Sequence, residues 1–265
     1  MKLCYVNITT EDSSRPYLSL VERVFLKVAS SGTEIKVKSV KQGLDRVFPI
    51  SSSYFDLLNK KEIIERLIEA DKEGYDAAIV GCFLDPGVRE AREIVNIPVI
   101  GVGEPTLYFA QLLGNKFAIV TVNDIKVIRE IEIKLKIYGV EGRLIPNGVR
   151  PISTPTMRVF TDGMEKPEII ASDILEKAKK CVEDGAEVVI VGCNGLGPLC
   201  TISNVIEVKD THVPILDCVS VATKVAETLV ELSRKLKMPP ISRAGFYSMP
   251  RKKDVERVRG IFEGV

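Results

Sequence analysis

The chain has 265 residues, of which 45% are hydrophobic, enough to bury the core of one large domain or of two domains of ordinary size. Lysine and arginine number 37 against 36 aspartates and glutamates, so no global field favours nucleic acid, a membrane surface or an acidic partner. No apolar run nears the roughly 20 residues that span a bilayer, and six cysteines are too few for a disulfide framework. We therefore expect a cytoplasmic protein with reduced thiols.

Short apolar runs alternate with amphipathic helical stretches from one end of the chain to the other. This alternation is typical of parallel strands joined by crossover helices, and it predicts an α/β fold with open, mainly parallel sheets of four strands each. The predicted strands lie at 2–8, 33–40, 76–81, 97–101, 116–122, 142–146, 187–192 and 213–217.

Two segments between these elements, 41–56 and 146–167, are poor in regular patterns. They occupy equivalent places after the second strand of each half. Because long loops in compact domains are usually functional or mobile, we expect either lids over a binding crevice or variable surface loops.

The two halves of the chain resemble each other. The segment "EGYDAAIVGC" at 73–82 aligns with "DGAEVVIVGC" at 184–193, and the segments downstream of each also align. We therefore predict two pseudo-symmetric α/β domains, with the active site in the interdomain cleft that the carboxyl ends of their strands share. Cys82 and Cys193 would face each other across this cleft.

A pair of thiols on opposite sides of one carbon suits the inversion of a stereocentre. One residue, as thiolate, removes a proton from one face, and the other, as thiol, returns a proton to the opposite face. We expect help in forming the thiolate from following helix starts, with Asp85 as an N-cap and Pro86 as a first helical residue after Cys82, and Pro198 opening a helix after Cys193. Cys82 and Cys193 are therefore the predicted catalytic residues.

Further polar residues follow the predicted strands and are candidate substrate contacts. The Asn194 amide could bond a carboxylate or an imide, whereas small polar residues at strand ends also serve as turns and caps. The candidate substrate-binding residues are Asn7, Thr9, Phe83, Thr121, Asn123, Asn194 and Gly195.

The remaining cysteines and the single histidine favour structural interpretations. Cys4 and Cys181 fit packing positions, and Cys200 and Cys218, near helix starts, either pack or border the cleft. There is no Cys-x-x-Cys, and His212 stands alone before a strand, so we predict no metal. The glycine-rich pieces lack the spacing of a nucleotide-binding loop, so no cofactor is predicted.

Four segments, at 75–104, 184–197, 213–230 and 241–250, together resemble the hydantoin racemases of the wider aspartate/glutamate racemase superfamily. The resemblance implies cofactor-independent catalysis, with catalytic cysteines at Cys82 and Cys193. It also implies a first domain of residues 1–102 plus the returning C-terminal helices at 218–265, and a second domain of residues 103–217.

The chain departs from the family pattern near the site. The loop Asn7–Thr10 stands where the family usually has Asn-Pro-Asn-Thr, and "GCNGLG" replaces the usual Gly-Cys-Ala-Gly-Met around Cys193. A hydantoin, allantoin or a free amino acid such as aspartate or glutamate therefore all stay open as substrates.

We predict a racemase or epimerase that acts on a small molecule, with no nucleic-acid or membrane partner; whether it forms a homo-oligomer is left open. Alternatives on the same scaffold are an aspartate/glutamate racemase, or a cysteine-dependent cis-trans isomerase or decarboxylase. A different class, a two-lobed small-molecule binding protein without turnover, is also retained.

Overall fold

The protein folds into two sheets flanked by helices, and the computed structural model describes residues 1–44 and 51–263. The first sheet has the strand order β2-β1-β3-β4, and the second has the order β6-β5-β7-β9-β8. The strands are β1 (Lys2–Asn7), β2 (Glu34–Ser39), β3 (Ala77–Val80), β4 (Val99–Ile100), β5 (Phe117–Thr121), β6 (Leu144–Pro151), β7 (Val188–Val191), β8 (Glu207–Val208) and β9 (Val213–Asp217).

The two sheets repeat one topology. Apart from β8, neighbouring strands pair in parallel, and β5, β6, β7 and β9 take the places that β1, β2, β3 and β4 hold in the first sheet. The predicted α/β fold and its duplication are confirmed. The prediction of four strands in the second sheet is wrong, because the two-residue β8 adds an antiparallel edge to β9; so short a strand carries no periodicity to detect.

The central strands are continuous apolar runs because both of their faces are buried. Every residue of β3 and of β7 is buried, since helices cover both faces of each sheet. The edge strand β2 instead carries charged residues at alternate positions, Glu34, Lys36 and Lys38. The core therefore lies along the central strands, and β3 and β7 run through it.

Helices connect the strands and also join the two halves. α10 packs against both α1 and α4. None of the helices within the described ranges is long and apolar enough to cross a bilayer. The helices are α1 (Glu11–Val28), α2 (Ser53–Lys72), α3 (Val88–Arg92), α4 (Gly103–Leu113), α5 (Ile125–Ile137), α6 (Thr156–Val159), α7 (Asp162–Glu165), α8 (Pro167–Glu183), α9 (Gly197–Ile202), α10 (Cys218–Leu236) and α11 (Lys252–Glu263).

The segments expected to lack regular structure are partly ordered. In 41–56, α2 begins at Ser53, and residues 45–50 lie outside the described part of the chain. In 146–167, β6 continues to Pro151 and two single-turn helices, α6 and α7, precede α8. The prediction missed these elements because their few residues give no helical or alternating period.

The predicted helix start after Cys82 is also corrected. Asp85 has a φ of 49° and lies before a turn, and α3 begins only at Val88, after Gly87. The Asp85 carboxylate instead accepts hydrogen bonds from the backbone N–H groups of Gly103 (2.9 Å) and Glu104 (2.7 Å), at the start of α4. Asp85 thus caps a helix 18 residues further along the chain.

In the second half, the capping carboxylate belongs to the strand end instead. Asp217, the last residue of β9, accepts a hydrogen bond from the N–H of Val219 at the start of α10 (3.0 Å). The expected opening of α9 by Pro198 is confirmed. A Cβ at Gly101 would collide with Asp85, and a Cβ at Gly197 would collide with Asp217. The Asp85 carboxylate thus lies against the loop before α4, and the Asp217 carboxylate lies against the start of α9.

The C-terminal residues contact the first half. Arg243 donates a hydrogen bond to the carbonyl of Arg92 (2.7 Å), and Arg259 of α11 pairs with Glu65 of α2 (2.9 Å). These contacts favour a first domain of 1–102 plus 218–265 and a second of 103–217, a division that stays a proposal.

Candidate active site

One pocket opens where the carboxyl ends of the two sheets meet. It has a volume of about 740 Å³, its open mouth included, and the Cys82 and Cys193 side chains both line it. Residues from both halves contribute, beginning with Asn7 at the end of β1 and with Val122 just after β5. A shared cleft of this size is typical of small-molecule sites in open α/β sheets.

The same local structure delivers each cysteine to the pocket. β3 ends at Val80, and Gly81 donates a backbone hydrogen bond to Val6 of β1 (2.9 Å) before Cys82. β7 ends in the same way, and Gly192 donates to Val120 of β5 (2.8 Å) before Cys193. A side chain at Gly81 would meet the Tyr5 hydroxyl at 2.5 Å, so glycine is required there.

Backbone N–H groups point at both sulfurs. The N–H of Leu84 approaches the Cys82 sulfur, and those of Gly195 and Leu196 approach the Cys193 sulfur. Burial nevertheless dominates: it raises the pKa of Cys193 to about 11 and that of Cys82 further. The expected help from backbone N–H groups is present, since these donors lower the pKa of both thiols, but the loss of water outweighs it and both pKa values are raised.

Asn194 lies in a buried polar chain behind Cys193. Its Nδ2 donates to the Tyr5 hydroxyl (2.7 Å), and its Oδ1 accepts from the Cys218 thiol (3.2 Å). The Tyr5 hydroxyl also bonds the Tyr17 hydroxyl (2.6 Å). Asn194 lines the pocket as predicted, but its amide is already engaged at both ends.

Asn7 and Thr9 also line the pocket, and here too the side chains serve the loop. The Asn7 amide donates to the carbonyl of Thr9 (2.9 Å), to Ser14 (2.8 Å) and to Ser39 (3.1 Å). Asn7 therefore holds the loop and also lines the pocket, and its contact with substrate stays a prediction.

Of the four remaining candidate substrate-binding residues, two line the pocket and two do not. Phe83 and Gly195 are on the pocket wall, whereas Thr121 and Asn123 are not among the residues that line it. The Thr121 hydroxyl donates to the carbonyl of Gly192 (3.0 Å), and Asn123 is exposed. Their neighbours Val122 and Asp124 line the pocket instead, since successive side chains after a strand point in opposite directions.

Several residues of the pocket wall were not predicted from the sequence. Tyr17 lies on the buried face of α1, where an apolar pattern signals core and wall alike. Phe160 follows α6 and packs over Gly195, where a Cβ would meet its ring at 2.5 Å. The sequence points to Phe160 only through its place in segment 146–167, one of the two segments that could cover the cleft.

The other cysteines do not reach the pocket wall. Cys4, Cys181, Cys200 and Cys218 are buried and reduced, and Cys218 lies behind Asn194. His212 is largely exposed beside Glu207. Within residues 1–44 and 51–263, no group of three or more His, Cys, Asp or Glu side chains is arranged to hold a metal ion.

Comparison with known proteins agrees with this geometry. The model of the Asp/Glu/hydantoin racemase family matches residues 8–226, most of the chain and both cysteines. The chain belongs to this family. Hydantoin racemase from a Pseudomonas species is 32% identical over 235 residues, which cover 88% of this chain and 87% of that protein.

Solved structures of the Asp/Glu/hydantoin racemase family share the fold. Allantoin racemase from Pseudomonas fluorescens superposes with a TM-score of 0.77 at 27% identity, covering 95% of this chain and 97% of that one. Allantoin racemase from Klebsiella pneumoniae has the same fold, with a TM-score of 0.79 at 23% identity, covering 95% and 94%. This member of the family is a racemase, and thus an isomerase.

Proposed function

We propose that this racemase inverts a carbon–hydrogen stereocentre beside a carbonyl in a hydantoin-like ring, without a cofactor, by proton transfer between Cys82 and Cys193. The observation that carries the proposal is the entry of both sulfurs into one pocket from equivalent strand ends of the two halves. Neither sulfur is tied into a disulfide.

The proton transfer needs one sulfur in each protonation state. The thiolate of one cysteine takes the proton from one face of the carbon, and the electron pair of the broken C–H bond moves into an enolate. The thiol of the other cysteine then gives its proton to the opposite face, so the two residues end with exchanged protonation states. Because the two groups are coupled, their ionisation belongs to the pair.

The raised pKa values have a cost and a benefit. Burial lowers the fraction of thiolate near neutral pH, but a thiolate whose conjugate acid has a pKa of about 11 is a stronger base than that of a free cysteine. The hydrogen beside a ring carbonyl is only weakly acidic, so a strong base matches it better.

The composition of the wall favours a neutral ring over a free amino acid. Among the described residues that line the pocket, none is Arg, Lys or His, and Asp124 is the one charged residue. A free α-carboxylate would therefore be buried without a cationic partner. A hydantoin carries no carboxylate, and Ile8, Val122 and Phe160 offer apolar surface to a substituent on the reacting carbon.

The test measures racemisation of single enantiomers of 5-benzylhydantoin, allantoin, aspartate and glutamate by loss of optical activity. We expect 5-benzylhydantoin to racemise fastest, allantoin more slowly because its ureido substituent is polar, and the amino acids not to react. Cys82→Ala and Cys193→Ala should each abolish racemisation, whereas Cys181→Ala, a buried cysteine outside the pocket, should retain it. Rapid racemisation of aspartate or glutamate would contradict the proposed substrate class.

A further inference from the structure

A chain of buried polar groups ends at Tyr17, a residue of the pocket wall. Tyr17 lines the pocket and is 9% exposed, whereas Tyr5 behind it is fully buried. The Tyr5 hydroxyl contacts Tyr17 at 2.6 Å and Asn194 at 2.7 Å. The chain therefore connects the residue after Cys193 to a phenol of the first half.

The direction of these hydrogen bonds follows from counting hydrogens. An amide NH₂ can only donate, so the Tyr5 oxygen accepts from Asn194. In the same amide orientation, Oδ1 accepts from the Cys218 thiol at 3.2 Å. Within the described ranges, the Tyr17 oxygen is the one acceptor that the Tyr5 hydroxyl hydrogen meets.

Donation from Tyr5 to Tyr17 is the arrangement that gives the hydroxyl hydrogen of the fully buried Tyr5 an acceptor, so we assign that direction, which leaves the Tyr17 hydroxyl hydrogen unused. The described residues offer it no acceptor of its own, and its residue faces the pocket. Burial raises the pKa of both phenols, so each keeps its hydrogen near neutral pH. An unused donor on a residue of the pocket wall implies an acceptor on the molecule that binds there.

We propose that Tyr17 donates a hydrogen bond to the substrate carbonyl next to the reacting carbon and stabilises the enolate oxygen, with Tyr5 and Asn194 as positioning residues. Its hydrogen stays on the phenol oxygen throughout, and the proton transfer remains between the two sulfurs. This role rests on the proposed function. It adds a substrate requirement: an imide or amide carbonyl on the side of the ring that faces α1.

A fixed donor acts where charge develops. The carbonyl oxygen is nearly neutral in the substrate and negative in the enolate, so the bond to Tyr17 strengthens as the proton leaves. An apolar setting increases its effect, because water does not compete for the oxygen. Removal of the Tyr17 hydroxyl should therefore lower kcat more than it raises KM.

The experiment compares Tyr17→Phe with the wild type on two substrates, 5-benzylhydantoin and its analogue with sulfur in place of the carbonyl oxygen next to the reacting carbon. Sulfur is a weak hydrogen-bond acceptor. We expect Tyr17→Phe to lose roughly 100- to 1,000-fold in kcat on the oxygen substrate. Its preference for oxygen over sulfur, expressed as a ratio of kcat/KM values, should fall at least about tenfold, because the sulfur substrate accepts the bond only weakly and loses less when the donor is removed. The intrinsic reactivities of the two rings cancel in this comparison.

Tyr75→Phe is the matched control. Tyr75 is also a buried tyrosine, 4% exposed, but does not line the pocket, so we expect both kcat and the oxygen preference to match the wild type. An oxygen preference in Tyr17→Phe equal to that of the wild type would overturn the role of Tyr17 while leaving the proposed function standing. A wild type that racemises none of the hydantoins would overturn both.

Thermal unfolding shows whether Tyr17→Phe folds. If it does not, 3-fluorotyrosine introduced at position 17 keeps the ring and the hydroxyl but makes the phenol a better donor. The oxygen preference should then rise above that of the wild type, and an unchanged preference would overturn the role.

Discussion

At the scale of single residues, the two pocket thiols are not equivalent. Cys193 receives two backbone N–H groups, whereas Cys82 receives one and also feels the negative charges of Asp56 and Asp85. All of these differences favour ionisation of Cys193 before Cys82. In the proposed mechanism, we therefore expect Cys193 to be the first base.

This inequality predicts the order of thiol alkylation. As pH rises towards about 11, the thiolate fraction of Cys193 should grow about tenfold per pH unit. We expect iodoacetamide to modify Cys193 before Cys82 at every pH, as measured by peptide mass spectrometry. Earlier modification of Cys82, or an alkylation rate that levels off below about pH 8, would contradict the assignment.

The sequence could identify the cysteines but not all of their neighbours. Cys82 and Cys193 stand out because the repeat places them at matching strand ends. Tyr17 could not be identified, since a buried helix face reads the same whether it meets core or pocket. Val122 and Asp124, rather than Thr121 and Asn123, line the pocket because the direction of each side chain depends on the backbone after the strand.

At the scale of elements, the capping of α4 shows the limit of local reasoning. Asp85 followed by Pro86 has the pattern of a helix start, yet the Asp85 carboxylate reaches across to α4 and also accepts a hydrogen bond from Tyr138 (2.8 Å). This contact depends on how β3 and α4 pack, which no local pattern contains. Strand positions, by contrast, could be predicted within a few residues from their apolar runs, apart from the end of β6 and the two-residue β8.

Burial of Asp85 predicts a pH-dependent stability. Its pKa is raised from 3.8 to about 6, so the folded protein binds the proton more tightly than the unfolded chain does. The stability contribution is therefore present at low pH and is lost as pH rises from about 4 to about 6, by on the order of 2 to 3 kcal/mol.

The measurement is urea unfolding of the wild type and of Asp85→Asn at pH values across this window. The free energy of unfolding of the wild type, minus that of the variant, should fall as pH rises. Other titrating groups are the same in both proteins and cancel. A difference that stays constant with pH would contradict the raised pKa.

At the scale of the whole molecule, duplication explains the site. Two sheets with one strand order bring matching strand ends to a single pocket, and each contributes one cysteine. The repeat in the sequence could predict this arrangement because it is written in the buried strands. The segments after β2 and β6 carry no such pattern, so the sequence leaves lids and surface loops as alternatives. Ser51 of the first segment and Thr156 and Phe160 of the second line the pocket.

The most direct test of two-base inversion is hydrogen–deuterium exchange at the reacting carbon, followed by NMR in deuterated water. Each enantiomer of 5-benzylhydantoin is incubated with Cys82→Ala and, separately, with Cys193→Ala. Each variant keeps one base, so we predict that one variant exchanges only one enantiomer, the other variant exchanges only the opposite one, and neither inverts the centre. Exchange of the same enantiomer by both variants, or inversion by either, would contradict proton transfer between Cys82 and Cys193.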